Sequence, residues 1–449
     1  MLKKIRKIKV ILSLNQKKVF SNLGWLFADR FLQMGTALFI GLWTARYLGP
    51  EQFGSLNYAI SFAALFGIIV NLGLDSIVVR DIVRFPDLKL EILGTAFILQ
   101  IVGGIASIPI IVGLNQVMRP NDPLMQWLVL IASISGTFNA FNIISFWFQS
   151  QIDSKYTVFV KNGAYLFTAA VRLVLIAIQA PLIAFAIALA GEMMLSGIGL
   201  VIVYQQREKN LQKWAWSYRR AKELLRDSFP MMITGAVITI YMRTDSIMLG
   251  QMVGDQAVGL YTAVMKLAEM WYFVPAAITS TVFPIIIKLK ENNEKVYYKR
   301  AQQLFTLMAF LSYLVAVPVS IFSNQLIVLF YGQEYAEGGI ILAVYVWAGL
   351  FVSLGVARGP WMVAGDLLNF RAFAGVLGAI TNIILNWILI PKIGIMGATI
   401  ATIFSQFIAS YLCNAFHSKT RDIFIRQTKG IVLFELPKII RAGLQMAKS

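Results

Sequence analysis

Apolar residues recur along this chain in runs long enough to cross a bilayer, about 20 residues each, separated by short polar or basic breaks. Reading the runs against their breaks predicts twelve transmembrane helices. Their limits are 20–47, 55–75, 91–114, 124–149, 157–179, 181–204, 230–250, 258–287, 303–323, 338–357, 371–390 and 394–416. Pro181 marks the start of the sixth, and 325–335 has room for a re-entrant piece. The fold class is therefore an all-α polytopic membrane protein.

The cations between the runs set its orientation. With the N-terminus placed in the cytoplasm, the cytoplasmic segments hold 33 of the 40 Lys and Arg, and the outer loops hold Arg119 and Lys392 alone. This is the positive-inside bias, and only an even number of spans preserves it, so both termini are expected in the cytoplasm. The opening MLKKIRKIKVILSLNQKK precedes an apolar run too long for a secretory signal and reads as the flank of a retained first helix. The same bias absorbs the net charge of +18, leaving no single basic face for a nucleic acid. A 58% hydrophobic, 14% charged composition, with mean hydropathy +0.70, excludes a string of soluble domains. One cysteine, Cys413, excludes an internal disulfide, and one histidine, His417, excludes a histidine metal cluster.

The divisions follow. Residues 1–19 form a basic cytoplasmic N-terminus, 20–208 an N-terminal six-helix lobe, and 209–229 a basic cytoplasmic linker. Residues 230–416 form the C-terminal lobe, and 417–449 a basic amphipathic tail expected to lie on the anionic inner leaflet. A repeat supports the two lobes. LGPEQFGSLNYAISF (48–62) returns 205 residues later as VGDQAVGLYTAVMKL, aligning Gly49 with Gly254 and Gly54 with Gly259. A weaker echo links PLIAFAIALAG (181–191) to PKIGIMGATIA (391–401). An even number of spans per copy makes the repeat parallel, giving two pseudo-symmetric six-helix bundles.

Charges inside the spans are the candidate chemistry: Asp29, Arg30, Arg46, Arg172, Glu192, Arg243, Asp245, Lys266 and Glu269. Each costs on the order of 2.5–3.5 kcal/mol at a helix centre, so each needs a partner or a wet cavity. Polar stripes accompany them at helical spacing. Asn22, Asp29 and Gln33 share a face, as do Asn57, Ser61 and Asp75, then Asn139 and Asn142, then Tyr241 and Asp245, then Asn382 and Asn386. Lys266 and Glu269, at i and i+3, invite a structural ion pair, and Arg172 with Glu192 invites another between the fifth and sixth helices. Arg243 points away from Asp245 on an ideal helix, so it snorkels, pairs elsewhere or marks a bend. The stripes in both halves point to a central hydrated cavity with a slight cationic excess, suited to an anionic head group.

Three stretches carry a family likeness: RYLGPEQFGSLNYAISF, TDSIMLGQMVGDQAVGLYTAVMKLAEMWYFVPAAITSTVFP and PKIGIMGATIATIFSQ. They resemble the Wzx-type polysaccharide flippases, the O-antigen and capsule-unit translocases of the multidrug/oligosaccharidyl-lipid/polysaccharide exporter superfamily, over about residues 20 to 416. The resemblance implies two six-helix bundles around a cavity in the bacterial cytoplasmic membrane. It implies alternating-access transfer of undecaprenyl-pyrophosphate-linked oligosaccharides from the inner to the outer leaflet. The partners would be that lipid-linked glycan, membrane lipids and other polysaccharide-assembly proteins. By motif position Arg30, Arg46, Arg243 and Lys266 are the head-group candidates. This sequence interleaves acids among them, and Asp29, Asp245 and Glu269 are candidates for a coupling proton or sodium ion. Asn57, Ser61, Asn139 and Asn142 are further polar candidates of the cavity.

Three alternatives stand beside this one. A cation-coupled multidrug exporter of the same superfamily shares the fold. A lipid II flippase is disfavoured because such proteins often carry two additional helices. A glycan polymerase is disfavoured because the longest outer loop, 324–337, offers Glu334 and Glu337 but no base and little bulk, so a transporter is expected and an enzyme is not.

Overall fold

The computed structural model describes residues 35–36, 39–292 and 294–433, and every regular element among them is helical. Eight described helices are long and apolar enough to cross a membrane, nine when a bent pair is counted as one span. The chain forms two compact units. One comprises the chain to Leu48 together with Tyr58–Thr239; the other comprises Gly49–Asn57 together with the chain from Ile240.

The first unit takes its parts of α1 (Phe39–Leu65), then α2 (Gly67–Asn71) and α3 (Asp75–Arg84). A 47° bend separates α1 from the run that follows. Next come α4 (Lys89–Met118), α5 (Pro123–Thr137), α6 (Asn142–Ser150), α7 (Lys155–Ala177) and α8 (Leu182–Glu208). The unit also takes the first part of α9 (Tyr218–Met252). α5 and α6 are one predicted span, interrupted by a 3₁₀ turn at Phe138–Phe141. Asp122 caps α5 by accepting from the Met125 N–H at 2.9 Å, and Pro123 follows at the first helical position, where a missing N–H costs nothing.

The core of this unit gathers Leu74, Val78, Ile92, Leu93, Ile143 and Leu200 around Trp147 and Tyr204. The indoles of Trp147 and Trp214 meet the Tyr204 ring edge-on at 5.2 and 5.5 Å. The Tyr204 hydroxyl accepts from Trp214 Nε1 at 3.1 Å and donates to Asn210 Oδ1 at 2.9 Å. The polar tips of Tyr204 and Trp214 are thus satisfied inside an apolar cluster, whereas Trp147 Nε1 is buried without a partner. Val117, Trp127 and Ile178 remain exposed, as side chains solvated by acyl tails do.

The second unit holds the rest of α9, α10 (Asp255–Glu269), α11 (Phe273–Asn292) and α12 (Glu294–Ile321). The short α13 (Ser323–Tyr331) occupies the stretch left open for a re-entrant piece. α14 (Gly338–Tyr345), α15 (Ala348–Ala357) and α16 (Gly359–Ala364) make one broken span, and α17 (Leu368–Ile393) and α18 (Ile395–Phe407) form a hairpin. α19 (Cys413–Phe416) and α20 (Arg421–Ile431) close the described chain. Its core centres on Phe305, Met308, Leu354, Trp361 and Met362.

Two local findings add to the sequence reading. The described part of the tail expected on lipid, α20, is seated on its own unit. Gln427 is fully buried and donates to the Leu354 and Ser410 carbonyls at 3.3 and 3.1 Å while accepting from Asn414 at 2.9 Å. Amphipathicity alone does not separate a helix docked on lipid from one docked on protein; the buried amide does. The paired glycines of the repeat also meet. Within the second unit, a Cβ at Gly54 would land on the Asp255 carbonyl, and one at Gly259 on the Pro50 carbonyl. Ser55 Oγ donates to Asp255 Oδ2 beside them at 2.7 Å. Only glycine lets two helical backbones touch this closely.

Candidate functional site

Among the described residues, the second unit encloses a carboxylate with no cation at ion-pair distance. Tyr241 and Asp245 lie at i and i+4 on one face of α9, and the α17–α18 hairpin presents Asn382 and Asn386, then Thr402 and Ser405, at matching spacings. Asp245 is 8% exposed. Its Oδ2 accepts from the Tyr261 hydroxyl at 2.6 Å and from Thr402 Oγ1 at 2.7 Å. Its Oδ1 accepts from Asn386 Nδ2 at 2.6 Å, and the same amide nitrogen donates to Asn382 Oδ1 at 3.1 Å. Tyr241 and Ser405 continue the ladder with a 3.1 Å hydroxyl contact. A second acid joins through a second tyrosine. Tyr345 donates to Glu269 Oε1 at 2.8 Å, and its ring stands edge-on to that of Tyr261 at 5.8 Å.

Energetics give this cage a direction. Desolvating an ionised carboxylate costs several kcal/mol even after relaxation, and hydrogen bonds to a charged group return about 1.5–3 kcal/mol each. Three neutral donors offset much of that cost but leave the charge itself unbalanced. No carboxylate–cation bridge to Asp245 exists among the described residues. Asn386 Oδ1 is buried without a partner. The set offers carboxylate, amide and hydroxyl oxygens, which suit a proton or a hard cation such as sodium.

The first unit treats its intramembrane acid differently. Arg172 Nη2 donates to Glu192 Oε2 at 2.7 Å, with the side chains 13% and 17% exposed. The pair expected between the fifth and sixth helices is formed. Asn139 and Asn142 lie at the 3₁₀ turn of the same unit, with Asn142 Nδ2 3.4 Å from Asn139 Oδ1.

The other candidates scatter. Asp29 and Arg30 lie outside the described residues. Arg46 is exposed on α1. Arg243 is half-buried with no carboxylate at ion-pair distance among the described residues. Lys266 is exposed, its Nζ 4.9 Å from the Phe53 ring centroid, and Glu269 bonds to Tyr345, so the i, i+3 ion pair between them is not made. Asn57 donates to the Phe53 carbonyl of its own helix at 2.7 Å, and Ser61 is buried at 3% exposure. Of the acids, Asp245 and Glu269 belong to one network; Arg243 and Lys266 stand apart from it. Sequence reasoning overlooked Tyr261, Tyr345 and Thr402. A tyrosine or threonine in an apolar run carries no charge to betray it, although the Asn382–Asn386 spacing pointed to the face they complete.

Comparison with known proteins places this geometry. Residues 19–290 match the family model described as polysaccharide biosynthesis protein. The capsular polysaccharide biosynthesis protein CapF of Staphylococcus aureus is 21% identical over 406 residues, which cover 86% of this chain and 96% of that protein. The probable flippase AglR of Haloferax volcanii is 29% identical over 178 residues, 38% of this chain and 37% of that protein. Among solved structures, the lipid II flippase MurJ in its inward closed conformation shares the fold with a TM-score of 0.68 at 16% identity, covering 92% of each chain. An inward-facing MATE family multidrug resistance transporter does so with a TM-score of 0.68 at 14% identity, over 90% of this chain and 96% of that one. With the matched model spanning more than half its length, the chain belongs to the polysaccharide biosynthesis protein family, and its described residues include eight helices long and apolar enough to cross a membrane.

Proposed function

We propose that this protein carries lipid-linked oligosaccharide units from the inner to the outer leaflet of the bacterial cytoplasmic membrane by alternating access, for surface polysaccharide assembly. Membership of the polysaccharide biosynthesis protein family supports a glycan cargo, the motif resemblance suggests undecaprenyl pyrophosphate as its carrier, and the likeness to MurJ and MATE transporters supplies the fold. The observation that carries the mechanism is Asp245, enclosed by three neutral donors. A proton or sodium ion bound there neutralises the carboxylate and favours the closed cage; its departure leaves a charge that must regain water. The ion thereby acts through its differential affinity for two conformations, the requirement for any coupled transporter. Arg243 and Lys266, with Arg30 and Arg46, are the cations assigned to the pyrophosphate. Both termini face the cytoplasm by the distribution of basic residues.

Deleting the gene tests the substrate. Complete lipid-linked glycans should accumulate in the inner leaflet, with surface glycan lost. Incomplete glycans would instead assign the chain a biosynthetic step. A cation-coupled drug exporter is the second reading, because a caged carboxylate serves either cargo. Normal surface glycan with lost extrusion of a cationic dye would favour it.

A further inference from the structure

Three helical stretches of the first unit each turn a pair of polar side chains into one cavity of about 370 Å³. Asn139 comes from the 3₁₀ turn and Asn142 from the first residue of α6 directly after it, Lys161 and Tyr165 from α7, and Glu192 and Ser196 from α8. The spacing explains the convergence. A 3₁₀ turn repeats every three residues and eclipses side chains at i and i+3, which aligns the two asparagines. The α7 and α8 pairs are i, i+4 neighbours on α-helices. Phe138 and Phe141 supply aromatic surface. Phe141 lies against α8 because residue 197 is glycine; a Cβ there would stand 2.8 Å from the ring.

Glu192 is neutralised by Arg172 at 2.7 Å. The cavity lining holds four uncharged polar side chains, Asn139, Asn142, Tyr165 and Ser196, against two charged ones, Lys161 and Glu192. It offers amide, hydroxyl and carboxylate groups beside an aromatic face, the complement of an uncharged ring bearing hydroxyls above and C–H groups below. Its volume is in the range of small-ligand sites, about 300–1,000 Å³. The amides are loosely held by each other at 3.4 Å, which leaves donors and acceptors for a ligand.

We infer that this cavity of the first unit is a recognition subsite for a neutral sugar ring of the transported glycan, with Asn139, Asn142, Tyr165 and Ser196 reading its hydroxyls. The assignment rests on the flippase function proposed above and adds where glycan selectivity resides. The test uses proteoliposomes and two probes: lipid-linked glycans extracted from cells lacking this gene, and sugar-free polyprenyl diphosphate. Ser196→Trp fills the cavity, and Asn142→Ala removes one amide with little steric change. For both variants the ratio of glycan-lipid to sugar-free-lipid transfer should fall at least ten-fold below wild type, with unchanged thermal unfolding. An unchanged ratio in the Asn142→Ala protein, or equal loss for both probes, overturns the subsite and leaves the flippase standing. Wild-type protein that moves neither probe overturns the flippase, and the subsite with it.

Discussion

Each unit places an acid in an apolar span, Glu192 in the first and Asp245 in the second, and holds it by opposite means. In the first, Glu192 is bound by a fixed guanidinium at 2.7 Å. In the second, Asp245 is bound by a phenol, a hydroxyl and an amide, none of them charged. A permanent counter-charge makes a site that has no need of an ion. A neutral cage makes one that a proton or sodium ion would complete, on the function proposed above. On that proposal the contrast sets architecture against energy transduction within a single chain, and substitutions can turn one kind of site toward the other.

The largest effect is expected at Asp245. Asp245→Asn keeps the shape and removes the charge, so transport should lose its dependence on a proton or sodium gradient and fall by roughly 100-fold, the order of a lost coupling interaction of 1–3 kcal/mol compounded with lost ion binding. Flux measured with and without each gradient decides it; gradient-driven transport persisting in the variant would place the coupling ion elsewhere. Next comes Glu192→Gln, which strands Arg172 in the membrane. Breaking a buried pair from one side costs about 3–5 kcal/mol, whereas removing both partners costs little. Thermal unfolding in nanodiscs should therefore drop for Glu192→Gln and recover in the Arg172→Met, Glu192→Leu double variant. A double variant no more stable than the single would show that the pair does more than neutralise itself.

The smallest effect lies ahead of the seventh span, where Arg80 Nη2 meets Asp227 Oδ2 at 2.6 Å. The hydrogen bond from Arg80 holds the Asp227 carboxyl below its ordinary range. A depressed carboxylate contributes stability above its unfolded-state value and loses it as pH falls through the folded one. The pair is largely exposed, 43% and 31%, so its contribution is under about 1 kcal/mol and salt-sensitive. Asp227→Asn should lower stability at neutral pH by under about 1 kcal/mol and leave it unchanged once the wild-type carboxyl is protonated, so the acid side of the profile flattens, as melting curves across pH would record.

Much of the helical plan was legible because a bilayer demands long apolar runs and leaves few ways to satisfy a backbone inside it. The Pro181 start, the short helix at 323–331 and the Arg172–Glu192 pair all follow from that constraint. Partner choice was less legible. Lys266 and Glu269 have the spacing of an ion pair, but Glu269 has a tyrosine hydroxyl within reach on another helix, and sequence periodicity is blind to other helices. The Asp245 cage was half visible, through Asn382 and Asn386, and half hidden, because Tyr261 and Thr402 are common in membrane helices for unrelated reasons. The 3₁₀ turn at Phe138–Phe141 holds no glycine or proline itself, and Gly136 just before it is one of many glycines in the spans.

The crossing at Gly54 and Gly259 has an evolutionary corollary. Each copy of the duplicated motif donates one residue to the same point of touch, and neither residue has an atom to spare. A methyl gained in one copy admits no compensating loss in the other, so the two stretches, unlike at most of their other positions, are held to the same residue at this spot.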